Sequence, residues 1–162
     1  MRIDTEVVEA TQELIDKLKG RLRHEDEQEC WAMAHVSADE GLQQSFESAH
    51  KCWVALWKGE PILAFGVGAG ASLLRFRGTP WLLGTEKMKE VKVAFLRESR
   101  RFIAEMLEPF EMLENWVDVR NRVSILWLKW CGFTMDKPEP FGPDNRLFMR
   151  FYMYKQGVGY VS

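Results

Sequence analysis

Apolar residues at Leu14, Ile15, Leu18 and Leu22 recur at helical spacing among Glu, Asp, Lys and Arg, which predicts a surface helix over residues 9–22 with one buried stripe. The acidic stretch RHEDEQECWAM that follows suits either a short helix or a strand. Ser37, with Glu40 three residues on and Leu42, Phe46 and Ala49 behind, starts a further helix as a capping box. The period then changes. CWVALWK and PILAFGVGA are apolar runs rich in β-formers, separated by Gly59-Glu60, and together predict a hairpin from Cys52 to about Ala69 buried on two faces. Beyond the Gly-rich, Arg-containing connection GASLLRFRG, the run TPWLLGT predicts a strand from Thr79 to Thr85, with Pro80 at its first residue or on an edge.

Helical periodicity returns from Val91 to Leu107, where Phe95, Phe102, Ile103 and Met106 share a stripe flanked by Arg97, Arg100, Arg101 and Glu105, and Pro109 closes the helix. NWVDV reads as a strand. Asn121 is a natural N-cap, Val123, Leu126, Trp127 and Trp130 lie on one helical stripe behind it, and Gly132 is the stop. Ile125 and Leu128 make that helix apolar on a second side, predicting a central helix covered by more than one neighbour. The remainder gives a short strand, a Pro/Gly-rich turn over Phe141 to Asn145, and a last strand from Leu147 to Tyr154. The expected order is helix, helix, three strands, long helix, strand, helix, two strands. Two connections pass through helices, which favours right-handed crossovers and parallel neighbours there.

At 162 residues the chain suits one domain, with a helical part over 1–50 and a sheet-based core over 52–154. A 46% hydrophobic and 28% charged composition with seven Trp and ten Phe excludes a disordered chain. A formal charge of −2 gives no reason to expect a nucleic-acid backbone as partner. No run approaches the length of a membrane span, the amino terminus has no apolar signal core, and Cys30, Cys52 and Cys131 fall in no metal-ligand pattern, so a reducing cytoplasm is expected. His24, His35 and His50 lack paired carboxylate or Cys spacing, and no metal is expected.

The order of elements, together with NRVSILWLKWCGF, resembles the GNAT family of acetyl-CoA-dependent N-acetyltransferases over Cys52 to Tyr154. A common pattern there is Asn, a small residue three on, an aromatic six on, Tyr seven on, and Gly-Phe eleven and twelve on. Asn121, Ser124, Trp127, Leu128, Gly132 and Phe133 occupy those places. The resemblance implies an α/β fold with a mixed sheet of about six strands, splayed in the middle and covered by helices on both faces. It implies acetyl-CoA as cofactor, with the pantetheine paired to the WLLGT edge through Leu82, Leu83 and Gly84, and with Asn121 helping to hold it.

Two departures bear on chemistry. The Tyr often serves as the general acid for the leaving thiolate, and Leu128 has no proton to give. The family's Q/R-x-x-G-x-G/A loop corresponds here to GTEKMKEVKVAFL, which has no Gly after Gly84, so backbone amides cannot wrap a pyrophosphate by that route. Lys87, Lys89 and Lys92 can attract phosphates as point charges; the plain alternative is a solvated first turn. Among candidate bases near the acceptor side, His24, Glu27 and Glu29, we single out Glu29, set against the ordinary reading of such a run as a solvated face.

ECWA, CWVALWKGEPILAFGVG, TPWLLGT and LENWVDVRNRVSILWLKWCGF also resemble small GNAT-like internal virion or assembly proteins of short-tailed bacteriophages. That resemblance implies a phage-encoded protein, degenerate in catalysis, acting in virion morphogenesis. Its partners would be phage structural or host proteins, and its place the host cytoplasm or the particle. An active N-acetyltransferase and a host-directed interaction protein are the alternatives. Most Trp and Phe are expected in the core, with Phe141 in the Pro/Gly turn or Trp57 at the hairpin end as candidate exposed anchors for a partner, and Cys131 as a buried, inert thiol.

Overall fold

The computed structural model describes residues 5–69 and 76–156, and Lys92 by its backbone alone. Eight strands and five helices follow in the order β1 (Thr5–Glu9), α1 (Gln12–Leu18), α2 (His24–Ala34), α3 (Ala38–Glu47), β2 (Ala49–Trp57), β3 (Glu60–Ala69), β4 (Arg77–Gly84), α4 (Met88–Leu107), β5 (Met112–Asp118), α5 (Arg122–Cys131), β6 (Thr134–Met135), β7 (Glu139–Phe141) and β8 (Arg146–Tyr154). They form a single α/β domain around one mixed sheet of order β1-β2-β3-β4-β5-β8-β6, with β7 paired to β8.

Two strands exceed the expected six. β1 pairs with β2 as a five-residue edge, and its short sequence TEVVE, which does not alternate, signals less than the helical stripe beside it. β7 holds only three residues around Pro140, a composition that reads as turn. The acidic stretch is helical, as α2. Ser37 caps α3, its Oγ accepting the Glu40 N–H at 3.1 Å. The β2–β3 turn places Lys58 and Gly59 both at positive φ, the backbone of a tight hairpin turn. The connection GASLLRFRG lies largely outside the described residues.

One face of the sheet holds α4. Trp53, Phe65, Phe95 and Phe102 meet there with ring centroids 5.1–5.3 Å apart, joined by Ile103, Met106 and Leu113. The other face packs Val54, Ala64 and Leu83 against Ile15 and Leu18 of α1 and Leu42 of α3. β4 and β5 are parallel across the α4 crossover. The second helical connection makes no parallel pair, because β8 inserts antiparallel between β5 and β6.

α5 corrects an expectation. Its buried side is Ser124, Leu128 and Cys131, while Val123, Leu126 and Trp130 stand 43%, 62% and 46% exposed. The apolar stripe read as core is surface. Nor are the two expected anchors free: Phe141 stacks on Trp116 at 4.3 Å, and Trp57 packs against the core beneath Lys58. Among the described residues no helix is long and apolar enough to cross a membrane, and no group of His, Cys, Asp or Glu is arranged to hold a metal ion.

Candidate functional site

The splay between β4 and β5 is the architectural feature from which the site is built. The strands pair only at Arg77–Met112 and Gly78–Leu113 and then part. Gly78 allows the approach, since a Cβ there would come within 2.7 Å of the Phe110 ring. Past this point β4 alternates. Thr85 turns its N–H to β3, donating to Ile62 at 2.8 Å, so Pro80, Leu82 and Gly84 turn their backbone groups into the gap.

Each of these has a different fate. Pro80 has no N–H to leave unsatisfied, and its carbonyl accepts from Asn115 Nδ2 of β5 at 2.8 Å. The Gly84 N–H donates to Asp26 Oδ2 at 2.9 Å, and its carbonyl accepts the Arg23 N–H at 2.9 Å. Leu82, between them, keeps the open edge.

Arg23 and Asp26 belong to the start of α2 and are almost fully enclosed, 4% and 0% exposed. The guanidinium grips the carboxylate with two bonds, at 2.8 and 3.1 Å. Burial pushes the Asp26 carboxyl up, against the pull of Arg23 and the Gly84 N–H. This pair seats α2 on the end of β4. The stretch leading into α4 is also occupied: Met88, Lys89 and Glu90 donate to Thr85, Glu86 and Lys87 in a tight first turn. Lys87 pairs with Glu60 at 2.9 Å, which Arg21 also grips, and Lys89 pairs with Glu86 at 3.2 Å.

Two cavities meet at Leu82, Ser124 and Trp127. The one toward α2 and α3, about 400 Å³, is lined by Glu29, Trp81, Asn115 and Leu128 among others. The other, about 520 Å³, lies between α4 and α5 and is mostly apolar, with Leu63, Val91, Phe95, Leu96 and Trp130. Leu128 therefore reaches the gap from the place where the GNAT pattern carries Tyr.

Glu29 is the chemically distinctive group. Its carboxylate accepts the Asp118 N–H at 2.7 Å and Asn121 Nδ2 at 3.3 Å. Burial pushes it up to about 8, opposed by the Asp118 N–H and raised further by Asp26 and Asp118 nearby. Asn121 is wholly buried and does double duty, its Oδ1 accepting the Ser124 N–H at the start of α5. Glu29 and Leu82 thus line one gap, and Asn121 stands buried behind Glu29 without reaching it. Leu83 turns away into the core under α1 and α3, and Lys87 and Lys89 sit at the surface in ion pairs. Burial pushes the Cys30, Cys52 and Cys131 thiols up to about 12, so none is a nucleophile at neutral pH. Sequence reasoning missed Arg23, Asp26 and Asn115; the only trace was an Arg three residues before an Asp, a spacing shared by countless solvated helices.

No family model matches the chain, and no curated protein sequence is similar to it. Solved structures are. yncA from Salmonella typhimurium, solved with its cofactor acetyl-CoA, aligns over 96% of this chain and 97% of its own at 12% identity and TM-score 0.63. The fold is that of the GNAT acetyltransferases. An acetyltransferase of the GNAT family from Streptococcus pneumoniae matches over 93% and 98% at 12% identity and TM-score 0.60. Aminoglycoside acetyltransferase AAC(6')-Ib in complex with coenzyme A matches over 94% and 95% at 13% identity and TM-score 0.62.

Proposed function

We propose that this chain is a GNAT-fold protein that has given up acetyl transfer from CoA and acts by protein contact in virion morphogenesis. The observation carrying the first half is the seating of Arg23 and Asp26 on Gly84. In an acetyltransferase of this fold, the strand edge and the helix start after it would hold the pantetheine and pyrophosphate. Here α2 satisfies Gly84, and Lys87 already answers Glu60. Glu86 and Glu90 add negative charge where phosphates would bring more. The residues present do not fit a pyrophosphate. Leu128 also leaves the departing thiolate without a proton from that position. The morphogenesis role, with phage or host proteins as partners and the host cytoplasm or the particle as location, rests on the resemblance of ECWA, TPWLLGT and LENWVDVRNRVSILWLKWCGF to phage internal virion proteins.

Glu29 favours a second reading, an N-acetyltransferase acting on an amine. A carboxyl pushed up to about 8 beside the open Leu82 edge is a stronger base than a solvated one and takes a proton from an amine once it ionises as pH rises toward 8. Thiol release from acetyl-CoA, followed over a panel of peptide amines, polyamines and aminoglycosides, separates the two. The proposal expects no release above the rate without protein; release that Glu29→Gln abolishes would establish the second reading in its place.

A further inference from the structure

Leu82 holds a backbone donor and acceptor left over where the groups around them are satisfied. Within β4, Pro80 has no N–H and gives its carbonyl to Asn115, and Gly84 is taken at both groups by α2. Across the gap, the N–H groups of β5 that turn away from β8 are taken by side chains. That of Trp116 goes to Asn115 Oδ1 at 2.8 Å and that of Asp118 to Glu29 Oε1 at 2.7 Å. The N–H and carbonyl of Leu82 therefore face the gap together, at the residue where the two cavities meet. Such groups are obligatory hydrogen-bonders, so this one-residue edge asks for a partner that supplies one acceptor and one donor.

The geometry of the pair decides what that partner is. In a trans amide the N–H and the carbonyl point in opposite directions, so a single amide cannot meet both groups of Leu82. In an extended chain the N–H and carbonyl of one residue point to the same side, and the close antiparallel pair exchanges both bonds between one residue of each strand. The partner is therefore an α-carbon flanked by two amides, which is a peptide residue. Alternation then assigns its side chains. Leu82 packs on the α4 face of the sheet, so the side chain opposite it enters the cavity of about 520 Å³, among Phe95, Leu96, Trp127 and Trp130. The residues before and after it turn to the cavity of about 400 Å³, where Glu29, Gln44, Ser45 and Thr79 offer hydrogen bonds. At the rim of the larger cavity Arg23 is paired with Asp26 and Lys89 with Glu86, which suits an uncharged segment.

We propose that the gap beside Leu82 receives an extended, uncharged peptide segment of a partner protein, which pairs its backbone with Leu82 and lodges one large apolar side chain between α4 and α5. The inference rests on the protein-contact reading and gives the chemistry of its partner. Main-chain bonds set the register, and burial of the apolar side chain supplies most of the affinity.

Titration of the isotopically labelled full chain with tripeptides, followed by amide NMR shifts, tests it. The probes are N-acetylated and C-amidated, with Ser on either side of a central Phe, Trp or Leu. At least one should bind saturably below about 1 mM and move the Leu82 amide downfield. N-methylation of the central residue removes the peptide's donor and leaves the protein untouched, and Ala at the centre leaves the apolar cavity empty; each should weaken binding at least about tenfold. Leu82→Pro removes the protein's donor at the kind of position Pro80 already fills in this strand, and should abolish binding while keeping the wild-type far-UV spectrum. Leu147→Glu, on β8 and away from the gap, should bind as the wild type does. No saturable shift with any of the three probes overturns the proposal. So does binding indifferent to N-methylation, or a saturable shift that spares Leu82. Acetyl-CoA added to the bound peptide separates this proposal from the reading beneath it: peptide displaced by the cofactor would confirm the gap as its seat and overturn only the loss of CoA chemistry. Absence of peptide binding leaves that loss standing or falling on its own assay.

Discussion

Replacing Asp26 by Ala probes the contact on which the closed strand edge depends. Asp26 is wholly enclosed and satisfies both the Arg23 guanidinium and the Gly84 N–H, so its loss strands a buried cation and a buried amide. Removing one partner of a buried ion pair costs about 3–5 kcal/mol, much of it the desolvation of the group left behind. The amide contributes in the same direction but not additively, since Arg23 and Gly84 share the carboxylate. We expect a loss of about 4 kcal/mol in urea unfolding with the slope unchanged. For a domain of this size that is a fall in Tm of about 8–16 °C. The double substitution Arg23→Met with Asp26→Leu removes both charges and fills the space with apolar groups. It should recover most of the loss, short by about 1–2 kcal/mol for the Gly84 N–H that still lacks an acceptor. A cost below about 1 kcal/mol for Asp26→Ala, or a double variant no more stable than the single, would refute the view that this pair seats α2 on β4.

Three further outcomes follow from named contacts. Glu29 has a folded-state pKa raised from 4.5 to about 8, so its contribution is fully present below pH 4.5 and is lost as pH rises through about 8. Relative to Glu29→Gln, the wild type should therefore lose stability across that window, by at most about 5 kcal/mol and by about 2 once screening in the open cavity is allowed for; a flat difference between pH 4.5 and 8.5 would contradict the assignment. Asn121→Ala removes the α5 cap and one donor to Glu29, and thermal melts should show a loss of about 1–2 kcal/mol. Gly78→Val drives a side chain into Phe110 and Leu113 where β4 and β5 meet, and should cost at least about 2 kcal/mol by denaturant unfolding.

The sequence carried the fold wherever one period dominated. The β2–β3 hairpin, the α4 stripe and the capped starts of α3 and α5 could be read because local chemistry and tertiary role agreed. α5 shows the limit of that reading: Val123, Leu126 and Trp130 have the spacing of a core stripe, yet a neighbouring gap leaves them at the surface. Periodicity identifies an apolar face and is silent on what covers it. β1 and β7 were missed because their few residues signal less than the helix or the proline beside them. Glu29, Asn121 and Leu82 were found through the family pattern. The Arg23–Asp26 contact with Gly84 joins positions 58 residues apart, and nothing local marks either residue as buried.

Acetyl-CoA titration by isothermal calorimetry at modest salt, on the wild type and on Asn121→Ala, tests the central claim most directly. The seating of α2 on Gly84 predicts no saturable heat up to millimolar cofactor for either protein. Micromolar binding by the wild type, weakened by the substitution, would mean that the strand edge accepts the cofactor despite Arg23 and Asp26, and that the chain is to be read as a working acetyltransferase.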